Sequence, residues 1–393
     1  APFLLGVLVS QGQQDLYEEA PVHYSATEPN DFVTKHQVEL TARMAEVPSG
    51  LPRLKVLLDA MDIPVASQGL VFSKTSKQNP LIHPGNPRAL YFNDDFYVGY
   101  VPGGDFEIST VDPHLGVVFY ILPDRDIGRV EKPFVRDRSC LDCHGGSRTR
   151  GYPGFLIRSV YPKPSGLPDF ARGSHLVLDS TPFEKRWGGW MATGDTGGLE
   201  HMGNKWLEGD ELVTMEGAAT DRLPAIVNPE RYPRADSDIV ALMILEHQVT
   251  AHNALIRANL QVRRAVHLRE QIARALNEPD DGELRGSALS VAQGQVEKVL
   301  DVLLFKDEQT FAGEEITGND DFVEAFYTQR KEAEDGRFLR ELRMSGRMFK
   351  LRCSYMIHSK SFEHLPPRLK SMVYVRLLAV LSGEDESGRY DHM

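Results

Sequence analysis

Leu90-Tyr91-Phe92, Tyr97-Val98-Gly99-Tyr100-Val101, Phe106-Glu107-Ile108-Ser109-Thr110 and Val117-Val118-Phe119-Tyr120-Ile121-Leu122 follow one another closely, and their reading decides the fold. Each is a short run rich in β-branched and aromatic side chains. The turn-forming groups Asn93-Asp94-Asp95, Pro102-Gly103-Gly104 and Asp112-Pro113 separate them. Such runs, joined by tight turns, predict an antiparallel sheet. A fifth run, Phe155-Leu156-Ile157-Arg158-Ser159-Val160, has the same character and is expected to join it.

Between the fourth and fifth runs stands Ser139-Cys140-Leu141-Asp142-Cys143-His144. Cys-x-x-Cys-His is the attachment pattern of a covalent c-type haem: Cys140 and Cys143 would form the thioethers and His144 the proximal ligand to iron. A zinc ribbon needs a second cysteine pair, and Cys353 is the one other cysteine in the chain. A redox dithiol needs a strand before and a helix after the pair, whereas Lys132-Pro133-Phe134 and Gly145-Gly146-Ser147 flank this one with loop chemistry. Cys353 is expected simply to pack.

The ligand on the other side of the iron separates electron transfer from small-molecule chemistry. Met202 and His201 are the leading candidates, in Glu200-His201-Met202-Gly203-Asn204, with Met191 and His175 behind them. The thioether would raise the reduction potential and the imidazole would lower it. An open position is the alternative. Arg148 and Arg150, just past the motif with Tyr152, suit the haem propionates better than catalysis. The three tryptophans, Trp187, Trp190 and Trp206, sit among glycines and suit a pocket wall over a flat cofactor. His247 and His252 on a later helical stretch stand about 140° apart around the axis and cannot share a metal. With Glu246 they read as polar contacts of a core or a surface.

Outward from the β region, Asn30-Asp31 caps a helix through Met44, and a second helix runs from Leu51 until Pro64. Gly69 to Ser73 reads as a buried strand. Beyond Pro233, Asp236-Ser237-Asp238 caps a long helix to about Asn277. Further helices are expected over Ser287–Phe305, Asp321–Glu332, Arg337–Phe349 and Pro366–Leu381. The fold class is therefore α+β. An N-terminal helical layer covers residues 1–79, a β-rich haem domain 80–232 and a helical domain 233–393.

The 393 residues carry a net charge of −12, which argues against nucleic acid or anionic lipid as a partner. Hydrophobic residues at 41% and charged ones at 25% are ordinary for a globular chain, and three cysteines exclude a disulfide framework. The first nine residues, Ala1 to Val9, are apolar without a basic lead, and read as the end of an export signal or a buried strand. No stretch is expected to span a bilayer.

The motif Cys140-Leu141-Asp142-Cys143-His144 resembles those of the c-type cytochromes, which implies one covalent haem c, maturation outside the cytoplasm and electron transfer. The region from Leu90 through Gly151-Tyr152-Pro153-Gly154-Phe155-Leu156-Ile157-Arg158 resembles the haem-c PAS- or Cache-like domains of periplasmic sensors. The whole chain, with Leu245-Glu246-His247-Gln248 and Cys353-Ser354-Tyr355-Met356, looks similar to long single-haem proteins of environmental bacteria. The expectation is a periplasmic mono-haem c protein of one-electron transfer, exchanging electrons with a redox protein or a small-molecule oxidant. A haem enzyme acting on peroxide or another small oxidant at an open site, and a haem-based redox or gas sensor, are the alternatives. The long helix offers a face for a homodimer.

Overall fold

Asp31 starts the first helix: its carboxylate accepts from Thr34 N at 2.8 Å and caps α1, Phe32–Ala45. Pro52 at the start and Met61 at the end bound α2, Leu51–Ala60. The protein is described here by a computed structural model, in which residues 15–278 and 282–393 are described. The apolar first nine residues lie outside them.

Six strands then form one antiparallel meander in chain order: β1 Gly69–Val71, β2 Arg88–Phe92, β3 Phe96–Tyr100, β4 Phe106–Asp112, β5 Gly116–Leu122 and β6 Val135–Arg136. The register sets Leu90, Gly99, Glu107 and Ile121 in one row across β2 to β5. Tyr97, Ser109 and Phe119 form the next row on the same face. Side chains alternate faces, so Tyr120 points the other way, and its hydroxyl donates to Asp31 at 2.7 Å. One face of the sheet thus meets the N-terminal helices.

The motif itself forms a single helical turn, α3 Leu141–His144, directly after β6. The fifth run contributes only β7, Arg158–Val160, which pairs with β8, Ser174–Leu176, in a separate ribbon. Its first residues cannot join a ladder because the backbone of Gly154 and Phe155 is bound by His144 and Asn253. A second ribbon, β9 Lys205–Glu208 with β10 Glu211–Thr214, follows.

Helix α4, Ile239–Leu276, closes the second face of the sheet. Asp238 accepts from Ala241 N at 2.7 Å at its start, and Asn277 ends it in the left-handed region at φ 54°. Ser237 ties that start to β1, accepting from Leu70 N and donating to Met191 O. By length and hydropathy α4 could cross a bilayer, yet 89% of its apolar window is buried inside the fold, which makes it a core helix.

Behind it stand α5 Gly286–Leu303, β11 Phe311–Glu315, α6 Asp320–Thr328, β12 Leu342–Phe349, α7 Lys360–Glu363 and α8 Pro367–Leu381. The helix expected over Arg337–Phe349 is instead the strand β12, paired antiparallel with β11. Leu342, Met344, Gly346 and Met348 alternate, and Met344 and Gly346 both have positive φ, at 50° and 73°, which a helix does not accommodate. The fold is α+β, with N-terminal helices and a helical C-terminal region. One buried cluster runs through all of it, from Tyr17 to Tyr390.

Candidate functional site

Between the sheet and α4 lies a cavity of about 1280 Å³, counted with its open mouth. The sheet wall is formed by Arg88, Leu90, Tyr97, Gly99, Glu107, Ser109, Phe119 and Ile121, the face defined by the two cross-strand rows. Opposite them are Leu245 and Val249, one turn apart on α4, with Trp190, Val71 and the segment Phe155 to Arg158. The sheet wall mixes charged and polar side chains with apolar ones, and the other is mostly apolar.

Cys140, Cys143 and His144 all line this cavity. Their spacing of i, i+3 and i+4 across the helical turn puts them on one face. The turn is fixed at both ends: Asp137 accepts from Ser139 N at 3.0 Å, and Leu141 is buried beneath. Both thiols are free. Burial, helped by Asp137, pushes the Cys140 thiol up to about 12, so it holds its proton. Among the described residues no cluster of three or more acidic, cysteine and histidine side chains suited to a metal ion occurs.

His144 is oriented by the backbone. Its Nδ1 lies 2.9 Å from Gly154 O, and a carbonyl can only accept, so Nδ1 carries the proton and Nε2 the lone pair. Burial holds the imidazole below its ordinary range, keeping it neutral. The ring rests against Phe119, with centroids 4.7 Å apart. Gly154 N donates back to His144 O at 2.9 Å, which closes the intervening loop at its base.

Asn253 of α4 holds the far side of that loop, accepting from Phe155 N at 2.8 Å and donating to Phe155 O at 2.9 Å. A Cβ at position 154 would come within 2.6 Å of Asn253 Oδ1, so the close approach requires glycine. The orientation of His144 is thereby tied to the core helix.

Two arginines line the cavity near the motif without an acidic partner. Arg158 donates to Ser174 Oγ at 2.9 Å and lies over the Phe170 ring. Burial first, and then the charge of Arg148, pull its pKa down. Arg148 lines the cavity; Arg150 is exposed and does not. Deeper on the sheet wall, Glu107 accepts from Arg88, from Ser76 Oγ at 2.8 Å and from Gln78 Nε2 at 3.1 Å. Burial alone would raise its carboxyl, but Arg88 and these donors outweigh that and hold it below the usual range.

The expected second ligands lie elsewhere. Met202 is buried beside Ser159, 3.7 Å from its hydroxyl, and His201 packs on Trp187 and accepts from Gly203 N at 3.0 Å. Neither lines the cavity, nor do Met191 and His175. His144 is the one histidine among the lining residues, and no methionine is among them. Of the tryptophans, Trp190 forms wall, with Nε1 donating to Arg158 O at 2.9 Å; Trp187 is buried behind it, and Trp206 sits on β9.

Glu246 and His247 are core polar groups. Arg186 Nη1 donates to Glu246 at 2.9 Å, and His247 bridges Asp179 at 3.0 Å and Ser354 at 2.6 Å. His252 reaches the cavity wall through the Tyr97 hydroxyl at 3.0 Å. Arg88, Tyr97, Glu107, Arg158 and Asn253 escaped the sequence reading. The signal for Glu107 was its alternation with Ser109 along the third run; which face the two served was not readable. Compared with models of known families, with curated proteins and with solved structures, the chain has no match.

Proposed function

We propose that the chain is an exported, periplasmic haem c protein. It carries one covalent haem on Cys140 and Cys143, with His144 as axial ligand, and exchanges single electrons with a small-molecule oxidant or a redox partner. The observation that carries this reading is His144: its Nδ1 is engaged by Gly154 O at 2.9 Å, which leaves Nε2 as a ligand atom on the same cavity lining as two free thiols. A backbone carbonyl on the far nitrogen is the usual way a metal-binding imidazole is oriented.

The donor set fits the group. Leu245, Val249, Trp190 and Phe155 offer an apolar wall to a macrocycle, and Arg148 and Arg158 offer cations for its carboxylates. Bound haem supplies one-electron chemistry and a site for an exchangeable ligand. The chain's own part would be to hold His144 neutral and fixed and to exclude water with the α4 wall.

The lining favours a small-molecule oxidant or gas over a pure electron shuttle, because among the described residues no second histidine and no methionine lines the cavity. Spectra of protein produced with a c-type maturation system test the reading. Ferrous protein that binds carbon monoxide readily is the expected result. A six-coordinate iron inert to carbon monoxide would return the assignment to electron transfer through a ligand such as Met202 or His201.

A further inference from the structure

Tyr97 lines the cavity from β3, on the face it shares with Ser109 and Phe119. A series of aromatic contacts joins its ring to His144: His144 to Phe119 at 4.7 Å, Phe119 to Phe155 at 6.5 Å and Phe155 to Tyr97 at 4.3 Å between centroids. Its hydroxyl is buried against α4, 2.8 Å from Gln248 Nε2 and 3.0 Å from His252 Nδ1.

The acceptors present fix the direction of these bonds. Gln248 Nε2 also lies 2.7 Å from Asn93 O, which can only accept, and Gln248 Oε1 takes the Tyr355 hydroxyl at 3.0 Å, so Nε2 is the donor end of the amide. Tyr97 therefore accepts from Gln248, and among the described residues the acceptor left for its own O–H is His252 Nδ1. Burial brings the imidazole down to about 3 and holds the phenol above its ordinary range, so the resting pair is a neutral ring and a protonated phenol.

A phenol that loses an electron becomes a far stronger acid than imidazolium, and here the hydrogen bond that would carry its proton is already made. The Asp94 backbone beside the imidazole favours the protonated ring that results. We propose that Tyr97 and His252 form a donor of one electron and one proton at the chamber wall: Tyr97 gives an electron to haem that a hydroperoxide has oxidised, and its phenolic proton passes to His252 Nδ1. The O–H bond breaks and an N–H bond forms; Tyr97 is left as a neutral phenoxyl radical, and the haem is reduced by one electron. The pair deepens the haem reading and rests on it. Two other oxidisable rings border the cavity without this arrangement. Trp190 Nε1 donates to the Arg158 carbonyl, too weak a base to take its proton, and Tyr120 points to the opposite face of the sheet, towards Asp31.

The test uses the full chain made with a c-type maturation system, its haem load read by intact mass, mixed with hydrogen peroxide and frozen for EPR. The expected result is an organic-radical signal whose hyperfine structure collapses when the protein is grown on ring-deuterated tyrosine, and which is lost in Tyr97→Phe. His252→Leu should shift the high-field g value of the radical, because it removes one of two hydrogen bonds to the phenoxyl oxygen; a merely structural role for His252 would not move it, and this shift decides if Tyr97→Phe does not fold. A tyrosyl signal undiminished in Tyr97→Phe, or a g value unmoved in His252→Leu, would overturn the proposal. Loaded protein that forms no tyrosyl radical would overturn it alone, whereas protein without the added haem mass would overturn the haem reading as well.

Discussion

Asn253 illustrates how single residues hold this site. Its two hydrogen bonds to Phe155 fix the loop whose Gly154 carbonyl orients His144. Asn253→Leu removes both and leaves buried backbone groups unmet, at a cost of about 2–4 kcal/mol. Thermal melting should show that loss. The account also expects a changed axial-ligand spectrum in haem-loaded Asn253→Leu, which a purely structural role would not produce. His201 supplies a pH signature. Burial, with Lys205 nearby, pushes its pKa down to about 4, below its unfolded value of about 6.5. The unfolded chain therefore binds the extra proton between those values, and the stability due to neutral His201 is present above pH 6.5 and lost as pH falls towards 4. His201→Asn should be stable relative to wild type by an increasing margin through that window, reaching about 3 kcal/mol near pH 4. A constant margin in denaturant titrations would contradict it. Cys140, Cys143 and His144 were legible because chemistry requires that spacing. Arg88 and Glu107 were not, because their meeting depends on strand register rather than on neighbours in sequence.

Among the elements, α4 does the most to define the site. It supplies Leu245 and Val249 to the cavity, Asn253 to the loop and Gln248 and His252 to Tyr97. Its limits were readable from Asp238 and Asn277, since capping is local. The turn of β12 was not, because its methionines and arginines suit a helix by propensity and only the pairing with β11 decides otherwise. The fifth run was misread for a related reason: side-chain bonds claimed its backbone before a neighbouring strand did. Two changes probe α4. Val249→Trp should fill the chamber, so that the protein folds but takes up little haem, measured as the ratio of haem absorbance to protein. Arg186→Met strands the buried Glu246 carboxylate, which burial already pushes upward, and should cost about 3–5 kcal/mol by chemical denaturation. The double change with Glu246→Gln should recover much of that loss.

At the scale of the whole molecule, the length of the chain acquires a purpose. The sheet takes the N-terminal helices on one face and α4 on the other, and the later helices and β12 pack behind α4 in the same buried cluster. A single haem would then lie at the boundary between the β region and the helical region, with walls from both. The expected three-way division rested on changes in texture along the chain, whereas one buried cluster runs through all three parts; the cavity was not readable, because it arises only when distant segments pack. Covalent attachment of haem to Cys140 and Cys143 is the central proposal. The deciding measurement is the intact mass, under denaturing conditions, of protein made with and without a c-type maturation system. A gain equal to one haem, abolished in Cys140→Ser/Cys143→Ser, is the predicted result; an unmodified mass in protein matured alongside a control cytochrome would contradict it.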